Sequence, residues 1–105
     1  MDEIAGLGYR KALEFLVKDY CIYRSPSDAE AIKSEFLSRC IKTRIDNEKI
    51  KTLAERAVWI GNDETHYIRK QEAHDIEDMK QFIQAMVYFV GMELLVDKAA
   101  AMEPA

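Results

Sequence analysis

Along most of the chain, apolar residues recur at the three- and four-residue spacing of one helix face. In residues 4–23 the stripe is Ile4, Leu7, Ala12, Leu13, Leu16, Val17 and Tyr20, with Arg10, Lys11, Glu14 and Lys18 between. This predicts a first helix. Gly6 and Gly8 weaken its opening turns by about 1 kcal/mol each relative to alanine, marking a late start or a close backbone approach. Arg24-Ser25-Pro26-Ser27 predicts a break, because proline disfavours helix in the residue before it and either serine can cap the next helix. Ala29, Ile32, Phe36, Leu37, Cys40 and Ile41 predict a single second helix over 28–44. Asp46 or Asn47 offers the next N-cap. Ile50, Leu53, Ala54, Ala57 and Val58 predict a third helix reaching Trp59 and Ile60. The boundary between the second and third helices is the least marked, since residues 43–48 contain neither glycine nor proline.

Gly61 is expected to stop or distort the third helix, and residues 67–73 read as a connection. Asp75 is the expected cap of the last helix, with Glu77 and Asp78 favouring its positive end. It should run to about residue 100, roughly 26 residues or about 40 Å. Ile76, Met79, Phe82, Ile83, Met86 and Val90 form one stripe. Val87, Tyr88, Phe89, Met92, Leu94, Leu95 and Val96 then carry apolar groups around most of the circumference. Such a helix needs more than one partner surface. In a small chain the extra surface is expected from a second copy, so a homodimer through the last helix is anticipated. Gly91 would let a neighbouring helix come close, and the tail from about residue 100 should fray. No repeat and no strand pattern competes with these helices. The expected fold is all-α, one domain over 1–105, arranged as a four-helix up-and-down bundle.

Composition changes this picture little. With 105 residues, 49% apolar and 32% charged, the chain can build one modest core. The start Met1-Asp2-Glu3 is acidic where a signal peptide would be basic. The longest nearly apolar run, residues 85–96, is interrupted by Glu93 and falls short of the roughly 20 residues of a membrane span. No membrane partner and a cytoplasmic location are therefore expected. Cys21 and Cys40 form no Cys-x-x-Cys pair and read as two buried reduced thiols. The net charge of −4 argues against non-specific adhesion to nucleic acid. Its distribution is uneven: residues 31–58 hold seven bases and four acids, and residues 61–105 hold four bases and nine acids. A basic face for a polyanion is one reading of this asymmetry, and an ordinary solvated helix pair is the plainer one.

Candidate chemistry gathers at Trp59-Ile60-Gly61-Asn62-Asp63-Glu64-Thr65-His66-Tyr67, where polar groups cluster among aromatics. A Cys/His nucleophile pair has nothing local to orient it. His66 and His74 are eight apart and do not share a helix face, so no metal and no cofactor is expected. Gly6 and Gly8 lack the further glycine and preceding strand of a phosphate cradle. What remains is Asn62 four residues before His66, a spacing that on a helix places the two side chains together. A carboxamide can orient an imidazole, which titrates near neutrality. The plainer alternative is that Asn62 caps the turn and His66 packs against Trp59 or the last helix.

Gly8-Tyr9-Arg10-Lys11-Ala12-Leu13-Glu14-Phe15-Leu16-Val17-Lys18-Asp19-Tyr20, joined with Gly61-Asn62-Asp63-Glu64-Thr65-His66 some forty residues on, resembles the helical domain-of-unknown-function family 4145. That family is similar to the HEPN superfamily (higher eukaryotes and prokaryotes nucleotide-binding domains). The resemblance spans most of the chain and implies a helical bundle that commonly dimerises. Active HEPN domains are metal-independent ribonucleases of toxin, defence and RNA-processing systems, with a motif of arginine, a polar residue and a later histidine. Here Asn62 matches the polar position and His66 the histidine, but Gly61 stands at the arginine position. RNA cleavage needs a cation for the phosphorane charge, which glycine cannot supply. Arg10, Arg56 and Arg69 are possible substitutes. Arg10 is preferred because the family-like helix contains it and Glu14 can hold its guanidinium. Asp63 and Glu64 would repel a phosphate backbone. The expectation is a non-catalytic HEPN-like module for dimerisation, assembly or regulation, in a defence or restriction context, with Arg10, Glu14, Asn62 and His66 as a polar network. A partner protein is an open possibility. The alternative is a degenerate ribonuclease with His66 as acid/base and Arg10 as phosphate clamp, in which case RNA or a nucleotide would be the partner.

Overall fold

The computed structural model describes residues 2–63 and 72–102, with side chains described over 8–60 and 76–102. All regular structure among them is helical: α1 (Asp2–Arg24), a short 3-10 turn (Pro26–Asp28), α2 (Ala29–Ser34), α3 (Leu37–Arg44), α4 (Glu48–Asp63) and α5 (Glu72–Ala101). The all-α expectation holds, but the element count differs from the expected four because the second segment is two helices.

The helix ends arise from local chemistry. α1 stops where Ser25 leaves helical geometry (φ −137°, ψ 70°) ahead of Pro26. The break between α2 and α3 is the feature that apolar periodicity concealed. Ser34 Oγ donates back to the carbonyls of Glu30 (3.3 Å) and Ala31 (3.1 Å), a bond that competes with the helix ladder. Glu35 and Phe36 are then both extended. Carbonyls left open at the break are taken by Lys18 of α1, whose Nζ donates to Lys33 O (3.0 Å) and Glu35 O (2.6 Å). A side chain distant in sequence thus completes this helix end.

Between α3 and α4, Ile45 is extended and buried. Of the two cap candidates the structure uses Asn47, whose Oδ1 accepts from the backbone N–H of Lys49 (2.9 Å) and Ile50 (3.1 Å). Separate second and third segments need no glycine here, because this cap supplies the boundary. Two expectations are corrected. Gly61 does not end its helix, since α4 continues through it to Asp63. A single mid-helix glycine costs only about 1 kcal/mol, too little to override a packed helix. Asp75 is not a cap either, because α5 is already helical from Glu72.

α1 packs against every other helix, and α4 lies along α5. Leu13, Val17, Tyr20 and Cys21 from α1 meet Ile32, Cys40, Ile41, Ile45, Ile50, Ala54, Ala57 and Ile60. α5 closes this core with Met79 and Met86. Both cysteines are buried and unbridged, as expected. Ala54 and Ala57, fully buried, let α4 approach its neighbours closely.

Asn47→Ala should destabilise the fold by about 1–2 kcal/mol through loss of the α4 cap. Urea denaturation monitored by circular dichroism measures it, and a change within about 0.3 kcal/mol of wild type would show that the cap contributes nothing.

Candidate functional site

The residues singled out by sequence are described at one end only. Arg10 and Glu14 lie half-buried on α1. Glu14 pairs with Lys18 one turn on, at 3.7 Å. Asn62 is in the last turn of α4, while its side chain and all of His66 lie outside the described residues. Trp59, which flanks this stretch, is 66% exposed and so forms no part of the core.

Two other features carry the geometry. The first is polar. Glu93, the acid that interrupts the apolar run of α5, points at α1 and at the start of α4. Its Oε1 accepts from Tyr20 Oη at 2.7 Å, and its Oε2 accepts from Asn47 Nδ2 at 3.2 Å. Arg24 lies 3.5 Å from both Glu93 and Asp97, and Tyr23 Oη donates to Asp97 at 3.0 Å. Tyr20, Arg24, Asn47 and Glu93 border a cavity of about 380 Å³ that Ser25, Arg44 and Asp46 also line. Asn47 therefore has two roles, with its oxygen capping α4 and its nitrogen bound to α5.

A second cluster adjoins it. Arg44 Nε and Nη2 hold Glu35 at 2.9 and 2.7 Å, and Nη1 holds Asp28 at 3.0 Å. This fork ties the end of α3 to the α2–α3 junction and to the 3-10 turn. Arg44 belongs to the basic stretch noticed in sequence, yet two acids neutralise it.

The tyrosine, the two thiols and Glu35 around these clusters are all shifted away from neutral pH. Burial first, then the bond to Glu93, pushes the Tyr20 hydroxyl up. Burial pushes Cys21 to about 11, and burial together with the bond to Glu35 raises Cys40. Both sulfurs stay as thiols, the unreactive form. Glu35 is held down at about 2, chiefly by the hydrogen bonds from Arg44. Among the described residues no group of His, Cys, Asp or Glu could hold a metal ion. The network ties α5 to α1 and to the start of α4, and with it the rotation of α5 about its own axis.

That rotation produces the second feature. With Met79, Met86 and Glu93 turned inward, Tyr88, Met92, Leu95, Val96 and Met102 face outward and are mostly exposed. An apolar groove of about 430 Å³ between α4 and α5 runs beside this face. It is lined by Leu53, Thr52, Ala85 and Phe89, with Lys49 Nζ 5.9 Å from the Phe89 ring centre. By length and composition, Ile76–Ala101 is apolar enough to cross a membrane. The whole helix thus meets a length that the run of residues 85–96 alone does not. The sequence announced the excess of apolar residues on α5. It did not announce Glu93 as an anchor, although a single acid inside an apolar run was the available signal.

No known family model, curated protein or solved structure matches the chain.

The Glu35–Arg44 fork makes a pH prediction. Because the folded value of Glu35 (about 2) lies below its ordinary value of 4.5, the pair's stabilisation is full above about pH 4.5 and fades as pH falls toward 2. Thermal melts from pH 6 to 2 should show a fall in Tm across that window that is smaller in Glu35→Gln. Parallel curves for the two proteins would show the fork to be uncoupled from folding.

Proposed function

We propose that this chain is a non-catalytic helical assembly module that forms a homodimer through the outer face of α5. The observation that carries this reading is the exposed apolar face of Tyr88, Met92, Leu95, Val96 and Met102, continuous with the α4–α5 groove. Contiguous apolar surface of this extent marks interaction sites. The resemblance to HEPN-like domains supports the same reading. In it α2 and α3 together take the place of one helix of a four-segment bundle, and Gly61 in the arginine position removes the catalytic cation. Two buried free thiols accord with a reducing, cytoplasmic setting.

A membrane is the competing occupant of the same face. Glu93 argues against it. As a lone span, α5 would carry this carboxylate deep in hydrocarbon at a cost of about 2.5–3.5 kcal/mol. It would also give up Tyr20, Asn47 and Arg24 as partners. A second protein surface leaves those bonds intact.

Sedimentation tests the reading. Wild type should be dimeric at tens of micromolar, whereas Leu95→Glu should bind itself at least about 100-fold more weakly, with an unchanged helical spectrum. A monomeric wild type would sink the proposal.

Catalysis is tested separately. Purified protein incubated with mixed RNA in EDTA should leave it intact. Cleavage that disappears in His66→Ala would establish the ribonuclease reading, with His66 as acid/base and Arg10 as the candidate clamp.

A further inference from the structure

The outer face of α5 has an internal order that says how two copies meet. Ala85, Tyr88, Met92, Leu95, Ala99 and Met102 succeed one another at alternating steps of three and four residues. This is the a/d repeat of a coiled-coil seam. It is distinct from the inward stripe that carries Met79 and Met86, so α5 has two seams and the bundle uses only one. Tyr88, Met92, Leu95 and Met102 are 67, 62, 67 and 71% exposed. With the small residues between them, the strip exposes on the order of 600 Å², most of the roughly 800 Å² that one partner contributes to a standard stable interface.

Resting on the dimer reading, we infer that the two α5 helices pair antiparallel, with the two-fold axis passing between Glu93 and Leu94. In an antiparallel pair each a position faces a d position of the partner. That register sets Tyr88 against the second copy's Ala99, Ala85 against Met102, and Met92 against Leu95. Every layer then combines one large and one small side chain, or two of middle size, and the helix separation stays even along the seam. Parallel pairing would stack Tyr88 on Tyr88 between layers of Ala85 on Ala85 and Met92 on Met92. The helices would have to part at one layer and leave a void at the next, which close packing disfavours.

One further contact agrees. Tyr88 takes a hydrogen bond from Gln84 on its own helix at 3.4 Å. Its hydroxyl therefore has a partner at the rim while its ring covers Ala99. Opposed helix dipoles also favour the antiparallel arrangement.

Spin labels distinguish the arrangements. Lys80 is exposed and lies outside the seam, and the two native thiols are buried, so a nitroxide attaches selectively to Lys80→Cys. In the antiparallel register the two labels stand about 40 Å apart at 1.5 Å per residue of offset. In a parallel pair they lie within about 20 Å, given helix axes 8–10 Å apart. A pulsed-dipolar distance near 40 Å in the labelled dimer is the expected result. A dimer with the short distance overturns the register and leaves the dimer reading standing. A labelled protein that sediments as a monomer overturns both.

Discussion

A carboxylate in the middle of an apolar helix has to be paired, and in this molecule the pairing of Glu93 decides which side of α5 is inside. Its two oxygens are taken by Tyr20 of α1 and Asn47 at the head of α4, with Arg24 close by. A helix apolar on several sides has several rotations of similar hydrophobic energy, because burial is roughly proportional to area and has no direction. Hydrogen bonds to a charged group, worth about 1.5–3 kcal/mol each and angularly demanding, break that near-degeneracy. The core gains Met79 and Met86, and Tyr88, Met92 and Leu95 are left outside. One side chain thus decides which face of α5 the fold covers and which it leaves open.

The same economy recurs in the supporting elements. Asn47 starts α4 with its oxygen and holds α5 with its nitrogen. Lys18 belongs to α1 but finishes α2. Arg44 ties the end of α3 to the α2–α3 junction through Glu35 and reaches the earlier 3-10 turn through Asp28. Polar side chains here connect helices and complete their ends, which is the work that buried polar groups must do if they are to be tolerated. The thiols and the tyrosine are raised, and the strongly depressed acid Glu35 is locked in a guanidinium fork.

How far the sequence anticipated this depends on the length of the signal. Periodic apolar residues located α1, α4 and α5 to within a few residues, because each stripe runs for several turns. The α2–α3 break escaped notice because Ile32, Leu37, Cys40 and Ile41 keep a helix-like spacing across it. Its causes, the Ser34 back-bond and the Lys18 cap, are tertiary or too local for periodicity to register. Gly61 misled in the opposite direction, since a local propensity was outweighed by the packing of Ala57 and Ile60 immediately before it. For the candidate site, sequence directed attention to residues 59–67, whereas the described geometry lies around Glu93. That acid was visible only as an interruption.

Methionine methyl groups offer the most direct test of the claim that Glu93 fixes α5 with one seam inward and the other outward. Met79 and Met86 are fully buried in the core, and Met92 and Met102 stand on the open face. In protein labelled at the methionine methyls, diluting from high to low micromolar should move the signals of Met92 and Met102 while those of Met79 and Met86 stay fixed. Signals from Met92 and Met102 that ignore dilution, or core methionines that shift with them, would contradict the account.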